Sequence, residues 1–179
     1  FSQDYPKKHH WHTYLKIREK MWQYLPRAER EVLIPSSMML DQFLGSDFSN
    51  DDFVKSSYYA RDYEQKLLGE EALDGHPAYK IENIPLPEAP ITYGKIIAWL
   101  RQSDAAPLKE EFYNDRGELL KTQYYKEFKT FGDREIPSLW HMVNHRESGR
   151  ETTIRLLQAE YGLPLEDGLF TRERLAEEK

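Results

Sequence analysis

The sequence contains no cysteine, and this absence removes several kinds of chemistry at once. Without a thiol the chain can form no disulfide, no thiolate metal site and no cysteine nucleophile. The absence fits a reducing compartment, and it fits equally an oxidising one in which a stray thiol is a liability. The cysteine count therefore limits the chemistry and leaves the compartment open.

Long apolar runs are missing as well. No stretch approaches the ~20 consecutive apolar residues that a helix needs to cross a bilayer. The chain opens at Phe1, without Met and without the charged and apolar regions of a signal peptide. We therefore expect Phe1 to be the start of a fragment or of a processed product from which the targeting information has been lost.

An excess of positive charge is also lacking. The 25 Lys and Arg residues face 31 Asp and Glu residues, which gives a net charge of −6 and a pI near 5.6. Binding along nucleic acid requires a basic stripe that releases counterions. We therefore expect no nucleic-acid partner.

Recognisable catalytic motifs are absent too. The sequence has no Gly-x-Ser-x-Gly elbow and no glycine-rich phosphate loop. Glu110 and Glu111 are neighbouring acids, and neighbours on a strand point to opposite faces. The sequence therefore predicts no catalytic residues and no enzyme, and a hydrolase or isomerase that uses a carboxylate pair has the least support.

The histidines raise the question of a metal site. On an extended segment His9–His12, only His10 and His12 share a face, and no carboxylate lies in evident reach. His141 and His145 share one face of a predicted strand but have no third ligand. We therefore expect no metal and no other cofactor.

Alternating apolar and polar residues between turn signals predict a mainly antiparallel β-protein. Aromatic residues make up 13% of the chain, with 12 Tyr and 4 Trp, which suits a sheet. The clearest hairpin turns are Arg18-Glu19, Asp74-Gly75, Asp115-Arg-Gly117 and Ser148-Gly149. For residues 93–101 a helix is the alternative. The predicted strands are 12–17, 20–25, 29–34, 57–68, 78–84, 93–101, 110–114, 119–128, 138–146 and 151–159.

Two short helices interrupt this pattern. Ser49 is a good N-cap, and Asp51 and Asp52 would put negative charge in the first turn, where the helix dipole favours it. This capping role explains the acids better than a calcium loop, because Asp47, Asp51 and Asp52 lack the required spacing. Thr171 caps a last helix over residues 172–178. We find no internal repeat and no domain boundary.

Bulky apolar residues are concentrated in a connection between predicted strands. Met38-Met-Leu40 leads into Phe43-Leu-Gly-Ser-Asp-Phe-Ser-Asn-Asp-Asp-Phe53. Such residues rarely face water, so we expect them to cover an apolar surface, which is either the protein's own core or an apolar ligand. Methionine suits irregular ligands, whereas periodicity alone favours a core, and both interpretations remain open.

These segments carry a resemblance to a known family. Trp22-Gln-Tyr-Leu-Pro26, then Met38-Met39, then Phe43-Leu-Gly-Ser-Asp-Phe48 resembles the periplasmic outer-membrane lipoprotein-sorting proteins, a LolA-like branch of the LolA/LolB superfamily. The similarity covers about Lys20 to Leu175. Its weaker parts, in the right order, are Pro107-Leu-Lys109, Glu111-Phe-Tyr-Asn-Asp-Arg-Gly117, Leu120-Lys-Thr122 and Leu169-Phe-Thr-Arg172.

The resemblance implies a fold and its boundaries. We expect a mainly β structure, an open and incomplete curved antiparallel β-barrel with short helices covering one mouth and a hydrophobic cavity inside. Residues 1–179 would form a single LolA-like domain that lacks the family's N-terminal helix and first strands.

The resemblance also implies a function. We expect a periplasmic carrier or chaperone that shields the acyl chains of lipoproteins or other lipids during transport toward the outer membrane, without spanning a membrane. The alternative is a non-enzymatic interaction module that docks on an inner-membrane lipid or lipoprotein transporter. The candidate ligand-binding residues of the cavity and its lid are Trp22, Met38, Met39, Leu40, Phe43, Phe48, Phe53, Trp99 and Trp140.

Overall fold

The structure is a computed structural model that describes residues 13–18, 20–26, 28–55, 59–89, 93–166 and 168–177. Within these ranges the strands form antiparallel sheets that are not closed into a barrel, and the three α-helices are short. The prediction of a mainly β, open curved antiparallel fold is therefore confirmed. The strands are β1 (Thr13–Ile17), β2 (Lys20–Leu25), β3 (Arg30–Leu33), β4 (Tyr63–Leu73), β5 (His76–Pro85), β6 (Lys95–Arg101), β7 (Pro107–Tyr113), β8 (Leu119–Phe131), β9 (Arg134–Asn144) and β10 (Glu151–Arg155). The helices are α1 (Asn50–Lys55), α2 (Tyr59–Asp62) and α3 (Arg172–Glu177).

The chain divides into two compact units. The smaller, the three-stranded unit, takes its described residues from the ranges 1–41, 49–57 and 162–179. The larger, the seven-stranded unit, takes them from 42–48 and 58–161. The single LolA-like domain over residues 1–179 stays a prediction.

The three-stranded unit is a meander with one helix on it. Strands β1, β2 and β3 pair in chain order, and register places Leu15, Trp22 and Leu33 side by side on one face. On this face Leu15 and Tyr24 pack with Leu175 of α3. The buried side chain of Leu175 therefore holds the helix on the sheet.

The seven-stranded unit is a longer meander, in the order β10-β9-β8-β7-β6-β5-β4. The turn between β4 and β5 is the predicted one: Asp74 and Gly75 have φ values of 50° and 81°, and Leu73 pairs with His76. Two consecutive left-handed residues match the twist of a two-residue hairpin. The Gly132-Asp133 turn between β8 and β9, which was not predicted, is also a two-residue hairpin, but only its first residue is left-handed, with φ of 63° at Gly132.

The sheet of this unit curls upon itself. The rings of His76 on β5 and Phe128 on β8 lie 6.0 Å apart, although two strands separate them in the sheet. Arg101 on β6 reaches Glu135 on β9 with an Nη2–Oε2 distance of 2.8 Å. Register shifts in three strand pairs accompany this curvature, as expected for bulges that increase local twist.

Antiparallel register gives the sheet two faces, because residues paired across strands point to the same side. We call the side that carries Ile96, Ala98, Phe112 and Met142 the Met142 face. The side that carries Ile97 and Trp99 is the Trp99 face. Buried apolar residues occur on both faces, so the unit has two layers of packing.

One predicted strand is wrong at its start. Residues 59–62, which alternate like a strand, form helix α2, and the strand begins at Tyr63. Asp62 ends the helix, with its carbonyl accepting a hydrogen bond from Leu86 N at 2.9 Å and its carboxylate accepting two from Arg61. A short alternating run cannot exclude one turn of helix, since so few residues sample only one period.

Candidate functional site

A half-exposed apolar row crosses the Met142 face. Tyr79 pairs with Leu100, Leu100 pairs with Pro107, and Tyr125 pairs with Trp140, which pairs with Ile154. Tyr79 is 36% exposed and the other side chains are half-buried. We name this set the apolar row: Tyr79, Leu100, Pro107, Tyr125, Trp140 and Ile154. It offers apolar contact area that the described structure leaves partly open to solvent.

Polar residues lie beside the apolar row, on the same face. Glu110 and Gln123 face each other across β7 and β8, and both are buried. The hydroxyl of Tyr125 donates to Glu110 Oε2 at 2.7 Å. Trp140 packs edge-on against Tyr125, with ring centroids 6.1 Å apart. The Glu110 carboxylate therefore fixes the orientation of Tyr125, a member of the apolar row.

A short closed loop, Phe43–Phe48, belongs to the same unit. Phe43 N donates to Phe48 O at 2.7 Å, and Ser46 closes the turn by donating from its hydroxyl to Phe43 O at 2.6 Å. Leu44 and Gly45 both have left-handed backbones, with φ of 52° and 73°. Phe43 and Phe48 are 4% and 2% exposed, so their rings are packed inside the protein.

Asp47 anchors this loop to the Met142 face at β9 and β10. Its carboxylate accepts hydrogen bonds from Asn144 Nδ2 at 3.1 Å and from Thr152 Oγ1 at 2.7 Å. Arg150 Nε lies 3.2 Å from Asp47 Oδ1, and Asp47 N donates to Thr152 Oγ1 at 3.0 Å. A buried charge with this many partners is well compensated. From the sequence Asp47 was considered only as a helix-capping or calcium-binding residue, and its anchoring role was not predicted.

Trp99 lies on the other face of the sheet. It packs with Ala78, Ile97 and Leu108, and its indole N–H donates to Glu71. The ammonium groups of Lys80 and Lys109 lie 4.8 and 4.2 Å from its ring centroid. Trp99 is thus enclosed by charged neighbours.

The charged neighbours on the Trp99 face perturb one another. Lys109 Nζ lies 2.6 Å from Glu111 Oε1, and Tyr113 donates to Glu111 Oε2 at 2.6 Å. Burial, with the hydrogen bond to Glu111, raises the pKa of Tyr113 to about 12. Burial also acts to raise the pKa of Glu111, but the hydrogen bonds from Lys109 and Tyr113 outweigh it and the pKa is lowered. The charged side chains on this face therefore have ion-pair and hydrogen-bond partners among themselves.

The remaining candidates lie in the three-stranded unit. The guanidinium carbon of Arg172 on α3 is 4.0 Å from the ring centroid of Trp22. Met39 is 7% exposed, whereas Met38 and Leu40 on either side are 46% and 53% exposed. Phe53 is half-buried on α1.

The nine sequence candidates thus do not form one cluster within either unit. Phe43, Phe48 and Trp140 belong to the seven-stranded unit, and the loop of the first two is anchored on the face that carries the third. Trp99 belongs to the same unit but to the opposite face. The candidates in the three-stranded unit are Trp22, Met38, Met39, Leu40 and Phe53.

The metal and acid-pair hypotheses can be examined in the described residues. His141 contacts Glu151 at 3.1 Å and His145 contacts Thr122 at 2.8 Å, so their imidazoles have separate partners. Across the described ranges, no group of three or more metal-ligating side chains is found. The histidines at positions 9, 10 and 12 lie outside the described residues. Glu110 and Glu111 point to opposite faces, as their strand neighbours require.

Among the helices that the structure describes, none combines the length and the apolar character needed to cross a membrane.

Solved structures similar to this chain share its fold. A domain from Vibrio parahaemolyticus described as an outer membrane lipoprotein-sorting protein is 29% identical, with a TM-score of 0.79 over 88% of this chain. A DUF1329 family protein from Desulfovibrio piger is 25% identical, with a TM-score of 0.78 over 92% of this chain and 68% of its own. A LolA superfamily protein from Nitrosomonas europaea is 25% identical, with a TM-score of 0.70 over 94% of this chain and 74% of its own. The chain spans 66% of the Vibrio domain, slightly less than two thirds of its length. No curated protein matches the sequence.

The open antiparallel sheets and these similarities define the class: the chain has a LolA-like fold. A family model described as "-like: Uncharacterized protein" matches residues 3–177, and the chain belongs to that family.

Proposed function

We propose that this protein is a periplasmic carrier or chaperone that shields the acyl chains of lipoproteins or other lipids in a hydrophobic cavity, during transfer toward the outer membrane. The observation that supports it best is the similarity, at a TM-score of 0.79, to a domain described as an outer membrane lipoprotein-sorting protein. We propose no catalytic role, because a carrier needs only to bind and release.

The apolar row supplies a surface of suitable size for such a ligand. It runs from β5 to β10, five inter-strand spacings of about 4.8 Å, or roughly 24 Å along the sheet. Burying ten methylene groups there would contribute roughly 8 kcal/mol before entropic costs. An apolar row with few polar groups can therefore capture a hydrocarbon chain without any specific chemistry.

We assign two roles to the nine candidate residues. Trp140, a member of the apolar row, would contact the acyl chain directly. Trp22, Met38, Met39, Leu40, Phe43, Phe48, Phe53 and Trp99 remain proposed cavity and lid residues. Of these, Met38 and Leu40 are the most exposed and so the most available to a ligand.

The direct test is native mass spectrometry of protein purified without detergent. We expect adducts with lipid masses that disappear under denaturing conditions, as for a ligand held without a covalent bond. A protein that carries no adduct and also takes up no added fatty acid would contradict the carrier function.

The exposure of Met38 and Leu40 favours a second candidate, a module that docks on an inner-membrane lipid or lipoprotein transporter. Single apolar residues on a surface are common, but here two exposed apolar side chains flank a buried methionine within three residues. The double variant Met38→Asp with Leu40→Asp separates the two functions. Unchanged uptake of an apolar fluorescent probe, with loss of association with inner-membrane vesicles, would favour docking; loss of uptake would favour the carrier.

A further inference from the structure

A largely covered amide side chain lies on the Met142 face. Gln123 of β8 is 5% exposed, and no described residue forms a hydrogen bond with its side chain, whose polar atoms keep contact with solvent. A ligand that covers this amide must replace its contact with water, because an unmade hydrogen bond costs free energy. The Gln123 amide has both donor hydrogens and an acceptor oxygen to satisfy.

The surroundings of Gln123 connect it to the proposed lipid surface. It lies directly across from Glu110 on β7 and from Met142 on β9. Two residues further along β8, Tyr125 belongs to the apolar row and donates to Glu110 Oε2 at 2.7 Å. Gln123 is therefore a polar group at the edge of the apolar row, where it can form a hydrogen bond with a polar group of an otherwise apolar ligand.

We propose that Gln123 recognises the amide group of an amide-linked acyl chain; this inference rests on the proposed function. An amide carries a carbonyl acceptor and an N–H donor, so it can pair with either half of the Gln123 side chain. An ester of the same shape has no N–H, and a plain hydrocarbon has neither group.

Binding replaces the contact that Gln123 makes with water. A ligand with a matching polar group forms a new hydrogen bond there, whereas a ligand without one leaves the amide unpaired. The site accordingly discriminates between ligands that differ in one polar group, as sites with buried polar residues do.

The test compares two ligands that carry the same acyl chain and differ only at the linkage, N-methyldodecanamide and methyl dodecanoate. Each displaces the apolar probe N-phenyl-1-naphthylamine, and displacement gives the two dissociation constants. The measured quantity is the ester-to-amide ratio of Kd in the parent, divided by the same ratio in Gln123→Met. Because the same ligand pair is used throughout, the different cost of removing each ligand from water cancels.

We expect this double ratio to be roughly three- to tenfold, the effect of one net hydrogen bond. The matched control is Gln158→Met, at an exposed glutamine, for which the double ratio should be one. Gln123→Leu provides a second apolar replacement should Gln123→Met fail to fold. A double ratio of one for the folded Gln123 variant, with both ligands binding well, overturns the amide assignment and leaves the carrier function standing. Failure of both ligands to displace the probe from the parent overturns the amide assignment and the carrier function together.

Discussion

At the scale of single residues, Asp47 shows how one buried charge can organise a loop. Its carboxylate is 3% exposed and contacts Asn144 on β9, Thr152 on β10 and Arg150 in the connection between these strands. These contacts fix the position of Asp47 beside Phe48, whose ring is buried. The position of the loop is therefore set by a carboxylate as well as by its own apolar residues.

Replacing Asp47 by alanine should destabilise the protein strongly. The substitution removes the acceptor for three side chains and leaves Arg150 without its buried partner, so we expect a loss of about 3 kcal/mol in the free energy of unfolding. Urea denaturation followed by tryptophan fluorescence measures it. Glu147→Ala is the matched control, because it removes the exposed partner of the same Arg150 and should cost far less. Equal effects of the two substitutions would contradict the anchoring role.

The role of Asp47 could not be predicted from the sequence, whereas the apolar character of its loop could. Asn144 and Thr152 lie 97 and 105 residues away along the chain, so no local pattern connects them to Asp47. Phe43 and Phe48, by contrast, stand out in the sequence because bulky apolar residues in a connection must be buried away from water. The sequence thus indicated that the loop is packed, and only the fold indicates what it is packed with.

Arg101 and Asp104 provide a titration that stability should follow. The Arg101 guanidinium, through hydrogen bonds at 2.8 and 2.6 Å, lowers the pKa of Asp104 from 3.8 to about 2. A carboxyl whose pKa is lower in the folded state contributes stability above its unfolded pKa and loses it as the pH falls through the folded value. We therefore expect this contribution to be complete above pH 4 and to disappear between about pH 4 and pH 2.

The variant Asp104→Asn isolates this titration. Above pH 4 it should be less stable than the parent, and the two free energies of unfolding should converge as the pH falls to about 2. Urea denaturation at a series of pH values gives both curves. A difference between parent and variant that stays constant over this range would show that Asp104 does not titrate as proposed.

At the scale of secondary-structure elements, turns were the most predictable feature of the fold. Asp74-Gly75 adopts the left-handed conformations that such a pair favours, and β4 and β5 follow from it. Lys95–Arg101, for which a helix was the alternative, is a strand because both of its faces are packed. Helix α2 was missed because its residues alternate over too short a run. Local chemistry therefore specifies the hairpins, while tertiary packing decides the ambiguous segments.

Gly94, just before β6, should tolerate no side chain. A Cβ atom at this position would lie 2.6 Å from Asn114 O and 2.7 Å from Asp115 Cα, both backbone atoms of the turn after β7. We expect Gly94→Ala to lower the free energy of unfolding by about 2 kcal/mol, because the two segments must separate. Gly168→Ala is the control, since no atom lies within 4 Å of its Cβ position. Similar stabilities of the two variants in urea would contradict this close approach.

At the scale of the whole molecule, carrying a lipid and being stable are linked. A ligand that binds only the folded state raises the free energy of unfolding according to its concentration relative to Kd. The nine candidate residues are distributed over two units and over two faces of one sheet. The sequence could therefore suggest these residues but could not predict which of them lie together. The apolar row, in contrast, emerges only from register, since its six members come from six strands. A measurement on the intact protein is therefore the appropriate test of the row.

Adding a fatty acid should raise the melting temperature of the parent protein. At a free ligand concentration of 100 times Kd, the gain is about 2.7 kcal/mol, which corresponds to roughly 5–10 °C for a chain of this size. Trp140→Asp places a charge in the apolar row and should lose most of this shift, because binding at the same ligand concentration becomes weaker. Leu157→Asp is the control: Leu157 is 84% exposed and lies outside the row, so its variant should keep the full shift. If the parent shows no shift, the molecule is not a lipid carrier; if Trp140→Asp keeps the full shift, the ligand binds elsewhere than on the apolar row.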